Sequence, residues 1–285
     1  MPAAVEPPIE TPRTLSEAYA ILATGPHRAI AGGTDVMVQI TGELGPPPDR
    51  MIDLWRLHEL RGISADGDAV MLGALTTYTE IRHSAVCREH LPSLVDAAAT
   101  IGAAQIQNRG TLGGNIANAS PAGDTLPVLL AADAEIVVGG PRGDRTIAAS
   151  EFWVAYRRTA LEPDELVLRV RIPITAGRKV RFRKIGTRRA QAISKVVMAL
   201  AWRERDARWS DVRLALGSVA DRPIRARTTE AILEGASPTA ETAERAAESL
   251  AAEIQPIDDV RSTADYRRAV AARVLRRLIR DAGGW

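Results

Sequence analysis

Apolar residues in the first fifty-five positions alternate between short strand-like runs and a helical repeat. Leu15, Ala18 and Leu22 recur on one helical face, and Thr14 and Glu17 stand around the start of that face at the spacing of a capping box. The pattern predicts a small βαβ lobe, with helices at 15–22 and 36–40 and strands at 27–31 and 51–54.

A larger group of elements follows this lobe. Leu94, Ala98 and Ile101 share one helical face, and Thr77 with Glu80 repeats the capping-box spacing. The pattern predicts helices at 77–83, 92–105 and 126–132, and strands at 70–75, 134–138, 145–148 and 165–172. Proline and glycine at 173–177 then predict a domain boundary.

Beyond the boundary, runs rich in β-branched residues precede a helical region in which Gly235 and Gly283 are predicted to end helices. The expected elements are strands at 179–184, 192–202 and 212–219, and helices at 227–233, 239–254 and 264–280. The sequence thus predicts an α+β protein. Its first domain covers 1–175, with lobes at about 1–55 and 56–175, and a C-terminal α+β domain with a three-stranded antiparallel sheet covers 176–285.

The composition limits the kinds of ligand and metal site that this sequence can form. A length of 285 residues suits two domains, and a formal net charge of +2 gives no reason to expect nucleic-acid binding. Cys87 is the single cysteine, which excludes an internal disulfide, a Cys-ligated iron–sulfur cluster and a Cys-rich zinc site within this sequence. Only His83 and His90 offer a nearby base, so a small buried thiol is the favoured interpretation of Cys87 over a nucleophile. We predict no catalytic residue and no metal ligand in this chain.

The N-terminal stretch 1–12 is proline-rich and acidic, with neither a basic start nor an apolar run. It therefore predicts no secretory signal. No segment reaches transmembrane length, and the cytoplasm is the default expectation.

Two glycine-containing loops carry the strongest chemical signal. Residues 29–36 hold a Gly-Gly pair after an apolar run, with Thr34 and Asp35 placed to cap the next helix. Residues 110–124 combine Gly113-Gly114 with hydroxyl, amide and carboxylate side chains, which lets backbone approach a ligand closely. Two such loops suggest two walls around one extended polar ligand, and a dinucleotide is the natural candidate. The Gly-x-Gly-x-x-Gly spacing of a Rossmann site is absent.

Seven short segments together resemble one known family, from Thr11 to about Arg280. These segments are Ala31–Asp35, Thr111–Asp124, Thr159–Leu166 ahead of Arg171–Pro173, Arg183–Lys184, Pro223–Ala226 and Asp265–Arg268. The sequence resembles the FAD-binding medium subunit of molybdenum hydroxylases, the group of carbon monoxide dehydrogenase and xanthine dehydrogenase. In that family the flavin domain is of the vanillyl-alcohol-oxidase or PCMH type.

The resemblance implies FAD contacts at particular positions. The first loop would wrap the pyrophosphate through its backbone N–H groups, and this role falls on Ala29, Ile30, Ala31, Gly32, Gly33, Thr34, Asp35 and Val36. The second loop would contact the diphosphate and the flavin through Thr111, Gly113, Gly114, Asn115 and Asn118. Asp124 resembles the acidic position that orients a sugar or ribityl hydroxyl, and Val167 an apolar ring contact. Lys184 resembles the basic residue near the pyrimidine end of the isoalloxazine, where it would stabilise anionic reduced flavin.

Simpler interpretations of these residues stay open at this point. Asp124 is also placed to cap a helix beginning near Leu126, Lys184 is also consistent with a solvated strand residue, and Asn118 with a turn. The arginines of the last helix suit either a solvated face or a subunit interface: Arg267, Arg268, Arg273, Arg276, Arg277 and Arg280.

The resemblance implies an electron-transfer subunit of a heterotrimeric molybdenum hydroxylase, assembled as a dimer of heterotrimers. Electrons would arrive from [2Fe-2S] clusters in a small subunit, after oxidation of substrate at molybdopterin in a large subunit. They would leave to NAD, a quinone or oxygen. Because Thr34 stands where many relatives carry His or Asn, the FAD is expected to be non-covalent. A free-standing PCMH-type flavin oxidase and a scaffold subunit without flavin are the alternatives.

Overall fold

The computed structural model describes residues 7–42, 44–188 and 190–285. The prediction of no secretory signal therefore falls partly outside the described residues, at 1–6. None of the described helices combines the length and the apolar character needed to cross a bilayer.

The first lobe contains a parallel three-stranded sheet in the order β1-β3-β2. Its elements are β1 (Ile9–Glu10), α1 (Leu15–Leu22), β2 (Arg28–Ile30), α2 (Val36–Thr41) and β3 (Met51–Asp53). The predicted βαβ lobe is therefore present, with β1 as an additional edge strand. The capping box of α1 is only half formed: the Thr14 hydroxyl accepts from the Glu17 N–H, but the Glu17 carboxylate accepts from the N–H of Arg13 rather than of Thr14.

The second lobe is built on an antiparallel five-stranded sheet in the order β4-β5-β10-β6-β7. Its strands are β4 (Ile63–Asp66), β5 (Ala69–Gly73), β6 (Glu135–Gly140), β7 (Gly143–Ala148) and β10 (Leu166–Pro173), with the separate hairpin β8 (Trp153–Ala155) and β9 (Arg158–Thr159). Its helices are α3 (Tyr78–His83), α4 (Ala85–His90), α5 (Pro92–Ala99), α6 (Ala104–Gln107), α7 (Leu112–Asn118), α8 (Leu126–Ala131) and α9 (Ala149–Phe152).

The helices of this lobe confirm one prediction and correct another. Thr77 and Glu80 form the expected capping box. The helix predicted over 92–105 is two helices, because the chain turns at Gly102 with a left-handed φ of +53°. Strand β4 and helix α4 lack a signal strong enough for the sequence pattern to predict them.

The C-terminal region contains a four-stranded antiparallel sheet in the order β11-β12-β13-β14, followed by three helices. These elements are β11 (Lys179–Ile185), β12 (Val196–Arg205), β13 (Arg208–Gly217), β14 (Ile224–Arg225), α10 (Arg227–Leu233), α11 (Ala240–Glu253) and α12 (Ala264–Gly283). The sheet contains the three predicted strands and, in addition, the two-residue edge strand β14. Helix α12 runs through Gly283, and Gly284 takes the left-handed conformation that ends it.

The C-terminal sheet is covered on both faces. Alternate residues of β12 point to opposite sides, as the period of a strand requires. Met198 and Leu200 pack in one core with the C-terminal helices, whereas Ala199 and Ala201 belong to the core of the preceding domain, where α8 packs against β12 and β13. Because both faces are buried, β12 is an apolar run rather than an alternating pattern. The domain boundaries 1–175 and 176–285 stay a prediction.

A carboxylate at the end of α8 holds this domain contact. Asp133 pairs with Arg178 and Arg213 at 3.1 Å and with Arg225 at 3.2 Å, and all three arginines belong to the C-terminal region. Asp133 has a φ of +52°, a conformation that Asn also adopts readily. The substitution Asp133→Asn therefore removes the charge without straining the backbone.

We expect Asp133→Asn to lower the free energy of unfolding by about 2 kcal/mol, because it removes a charged acceptor that three arginines share, although each keeps another carboxylate partner. Urea denaturation measures this loss. The matched control is Asp144→Asn, since Asp144 is half exposed and lies 3.9 Å from its partner Arg169. Equal losses in both variants would contradict a special role for Asp133.

Candidate functional site

The two predicted glycine loops face each other across one cavity of about 440 Å³. The second is not irregular throughout, as the sequence interpretation had it, because its residues Leu112–Asn118 form helix α7 with Thr111 as the N-cap. Thirteen of the sixteen predicted site residues line the cavity: Ala29, Ala31, Gly32, Gly33, Thr34, Asp35, Val36, Thr111, Gly113, Gly114, Asn115, Asn118 and Val167. Ile30 does not line this cavity. It ends strand β2, where neighbouring side chains alternate in direction.

The loops touch through backbone at Gly32. An ideal Cβ on Gly32 would lie 1.8 Å from the carbonyl oxygen of Arg109, just before the second loop. Gly33 is favoured for a different reason: its φ of +74° lies in the left-handed region, which glycine adopts without strain. The missing side chain of Gly32 therefore lets the two loops pack together, whereas the sequence interpretation assigned it to contact with the ligand.

The backbone N–H groups of the two loops differ in availability. In the second loop, Gly113 donates to the carbonyl of Ala74 and Gly114 donates to the hydroxyl of Thr111. Within the described residues, the N–H groups of 32–35 have no such acceptor. The first loop thus offers a row of free donors. In the second loop Gly114 is exposed, whereas Gly113 is buried and its missing side chain makes room for Ala74. Free backbone donors of this kind suit an anionic group such as a pyrophosphate.

The predicted cap of helix α2 is absent. Asp35 occupies the N-cap position but makes no side-chain capping bond, and its carboxylate instead accepts from the Gln39 amide at 2.6 Å. Asp35 also lines both this cavity and a second one beside it.

The second cavity has a volume of about 900 Å³ and shares Asp35, Ile101, Asn115 and Asn118 with the first. Its wall carries the two remaining predicted residues, Asp124 and Lys184. The two cavities together therefore form an extended site, lined by both apolar and polar groups, that continues from the first lobe to the C-terminal sheet.

Asp124 and Lys184 form a buried ion pair in this wall. Their side chains are 9% and 8% exposed, and the Lys184 ammonium donates to the carboxylate at 2.6 Å. Lys184 also donates to the carbonyl of Thr100 at 3.0 Å, and the hydroxyl of Ser194 donates to the other oxygen of Asp124. Burial raises the pKa of Asp124, and Lys184 and Ser194 oppose that change.

The structure decides three of the open alternatives. Asp124 does not cap helix α8, because Thr125 is the N-cap residue and no side chain makes a capping bond there. Lys184 is not a solvated strand residue. Asn118 is not a turn residue: it ends helix α7, and its side-chain oxygen accepts from Arg157 at 2.9 Å.

Sequence reasoning missed three residues that shape the site. Tyr78 is buried beneath Gly110, and its hydroxyl lies 3.4 Å from the carbonyl of Thr111. Ser194 and Arg267 line the second cavity. The positions of all three residues depend on long-range contacts. Arg267 nevertheless lies within one of the segments that carry the family resemblance.

Comparison with known proteins identifies the family. The family described as FAD binding domain in molybdopterin dehydrogenase matches residues 5–175, and the CO dehydrogenase flavoprotein C-terminal domain matches residues 181–282. The chain belongs to this flavoprotein family. The resemblance seen in the sequence is confirmed, and with it the FAD-binding domain followed by a C-terminal α+β domain.

Relatives of this family match along nearly the whole chain. The carbon monoxide dehydrogenase medium chain of Hydrogenophaga pseudoflava is 31% identical over 274 residues, covering 95% of each chain. The nicotine 6-hydroxylase medium subunit of Paenarthrobacter nicotinovorans is 32% identical and covers 96% of each. The xanthine dehydrogenase FAD-binding subunit of Escherichia coli O157:H7 is 31% identical, covering 94% of this chain and 93% of that one.

Solved structures agree with the sequence matches. The carbon monoxide dehydrogenase of Hydrogenophaga pseudoflava superimposes with a TM-score of 0.91 at 32% identity, covering 95% of both chains. The quinoline 2-oxidoreductase of Pseudomonas putida 86 gives 0.91 at 27% identity, covering 98% of this chain and 97% of that one. This flavoprotein is therefore similar throughout to subunits of oxidoreductases.

The described residues suit the FAD that the family binds. A row of unpaired N–H groups at 32–35 meets the need of a pyrophosphate, and the cavity beside it is lined by apolar Val167 as well as polar groups. The second cavity presents the buried charge of Lys184. The site thus offers hydrogen-bond donors for an anion at residues 32–35 and a fixed cation at Lys184. These two features match the chemistry of a flavin dinucleotide.

Proposed function

We propose that this flavoprotein is the electron-transfer subunit of a molybdenum hydroxylase. The family match over both domains carries the proposal, together with the extended cavity between the glycine loops and Lys184. A bound flavin supplies the ability to take electrons singly and deliver them in pairs, which suits exchange between iron–sulfur clusters and a two-electron acceptor.

Each wall of the cavity has its own task in this proposal. The free N–H groups of 32–35 hold the pyrophosphate, and exposed Gly114 allows close approach from the opposite side. Asp124 fixes Lys184 and accepts a ligand hydroxyl, and Lys184 stabilises negative charge at the ring system. Val167 contributes an apolar surface. No residue of this chain is assigned to transformation of the substrate.

The proposed partners follow from what this sequence lacks and from its relatives' names. One cysteine cannot ligate a [2Fe-2S] cluster, and we therefore place the clusters in a partner subunit. Following the family resemblance, we propose that this partner is a small subunit and that molybdopterin is bound by a large one. Two of the relatives are named as medium chains or subunits. We propose a dimer of such heterotrimers with NAD, a quinone or oxygen as the final acceptor, and a cytoplasmic location.

Reconstitution tests the cofactor role directly. We expect the purified chain, incubated with FAD and passed over a desalting column, to retain about one flavin per chain and to release it on denaturation, as a non-covalent cofactor does. Visible absorbance before and after precipitation of the protein measures both. A chain that retains no flavin, either alone or purified with its partners, contradicts the proposal.

Metal analysis separates the subunit from a free-standing flavin oxidase. We expect molybdenum and iron to copurify with the tagged chain from its own host. Flavin without either metal, together with substrate oxidation by the chain alone, would favour the free-standing enzyme.

A further inference from the structure

Helix α12 contains one arginine whose position differs from that of its neighbours. Arg267 is 4% exposed, whereas Arg268 on the same helix is 39% exposed and Arg277 is 68% exposed. The solvated face predicted for the arginine run does not include Arg267. A buried guanidinium carries a desolvation penalty, so its retention calls for specific contacts.

The guanidinium of Arg267 joins the ends of two paired strands. Its Nη1 donates to the carbonyl of Lys195 at 3.1 Å, just before β12, and to the carbonyl of Ser218 at 2.8 Å, just after β13. Its Nη2 donates to Asp259 at 2.7 Å. The planar fork of an arginine makes these three bonds in one fixed geometry, which the single ammonium of a lysine does not reproduce.

The contacts continue from Ser218 to the flavin cavity. The Ser218 hydroxyl donates to the carbonyl of Ser194 at 2.9 Å, and the Ser194 hydroxyl donates to Asp124. Asp124 in turn accepts from Lys184 at 2.6 Å. All five residues line the second cavity. They form a continuous hydrogen-bond chain from helix α12 to the ion pair.

Ser218 also connects this series of hydrogen bonds to the second glycine loop, residues 110–124. Its backbone N–H donates to the carbonyl of Pro121 at 2.7 Å, and its φ is +64°. A serine in the left-handed region is strained and persists where surrounding contacts hold it. Arg267 provides one such contact, through the carbonyl of Ser218.

Resting on the proposed function, we propose that Arg267 is a positioning residue for the flavin site. Through Ser218 and Ser194 it fixes the carboxylate of Asp124, and thereby the ammonium of Lys184, in the orientation that the cofactor meets. Arg267 does this from the C-terminal domain, so the docking of that domain and the geometry of the FAD site are linked by one set of bonds.

A double-mutant cycle on the full chain tests the inference. We expect Arg267→Lys to weaken FAD binding about tenfold, which is the loss of roughly one hydrogen bond to a charged group. In the Asp124→Asn background the same change should weaken binding by less than about threefold, because the end of the hydrogen-bond chain is already altered. Fluorescence titration with FAD measures the four dissociation constants. Arg268→Lys, on the same helix but exposed, should leave the affinity unchanged.

If Arg267 only stabilised the fold, the same experiment would give a different result. If Arg267→Lys weakens FAD binding by the same factor in both backgrounds, or leaves the visible circular dichroism of bound flavin unchanged, the inference is wrong. Ser218→Ala removes one hydroxyl of the chain without touching a charge, and the same cycle with this variant decides the matter if Arg267→Lys does not fold. A wild-type chain that binds no FAD would contradict the proposed function. Normal wild-type binding, with Arg267→Lys weakening it by the same factor in both backgrounds, would contradict only the role of Arg267.

Discussion

The substitution Gly32→Ala is expected to weaken FAD binding by roughly ten- to a hundredfold. The added methyl group would lie 1.8 Å from the carbonyl oxygen of Arg109 and 2.5 Å from its carbon, and both atoms belong to the backbone. A flexible side chain could turn away, but here the two loops must separate. Overpacking of this kind costs about 1–3 kcal/mol, and the separation opens the cavity that both loops line.

Titration of the apoprotein with FAD, followed by flavin fluorescence, measures this effect. Gly67→Ala is the control. Gly67 lies in the turn between β4 and β5 with a φ of +58° and no neighbouring atom within 4 Å. Its replacement should lower stability by about 1 kcal/mol through backbone strain and leave the FAD affinity unchanged. Should Gly32→Ala fold and bind FAD as the wild type does, the loops do not need their close contact.

The substitution Lys184→Met is expected to lower the free energy of unfolding by about 3–5 kcal/mol near neutral pH. It leaves the carboxylate of Asp124 buried without its counter-ion, and removing one member of a buried pair has an effect of this size. Urea denaturation of the apoprotein measures the loss without any contribution from cofactor. The control is Lys179→Met, because Lys179 lies on the same strand with its side chain 53% exposed and should contribute at most about 1 kcal/mol.

The loss in Lys184→Met should depend on pH in a defined direction. Burial already raises the pKa of Asp124 in the folded protein, and removal of Lys184 takes away the main opposing influence. A carboxyl with a raised pKa in the folded state takes up a proton more readily there than in the unfolded chain. The variant should therefore recover stability as the pH falls from 7 towards about 4, where an ordinary carboxyl titrates.

A second substitution checks the cause of that pH dependence. Adding Asp124→Asn to Lys184→Met removes the unpaired charge, so the double variant should be more stable at pH 7 than Lys184→Met alone. A double variant that is less stable, or a Lys184→Met deficit that stays constant between pH 7 and pH 5, would show that the pair is not the source of the loss.

Local patterns were sufficient for many elements of this fold. The Thr77–Glu80 capping box and helix Arg227–Leu233 follow from short-range spacing, because caps and helical faces involve residues three or four apart. The two glycine-containing segments were recognised for a similar reason, since each is continuous, although helix Leu112–Asn118 within the second was not predicted. Helix α4 and strand β14 were missed because they are short, and short segments are stabilised chiefly by their neighbours.

The amino-acid sequence was sufficient to identify the family, the α+β class and the two segments that face the FAD cavity. Which polar groups are free and which are paired could be seen only in the folded chain. Lys184 meets Asp124 from sixty positions away, and Arg267 reaches the same cluster from a third segment of the chain. Among the described residues, the N–H groups of 32–35 are free and those of Gly113 and Gly114 are occupied. Hydrogen bonding and burial depend on the distances that folding creates between distant segments, and these distances leave no periodic trace in the sequence.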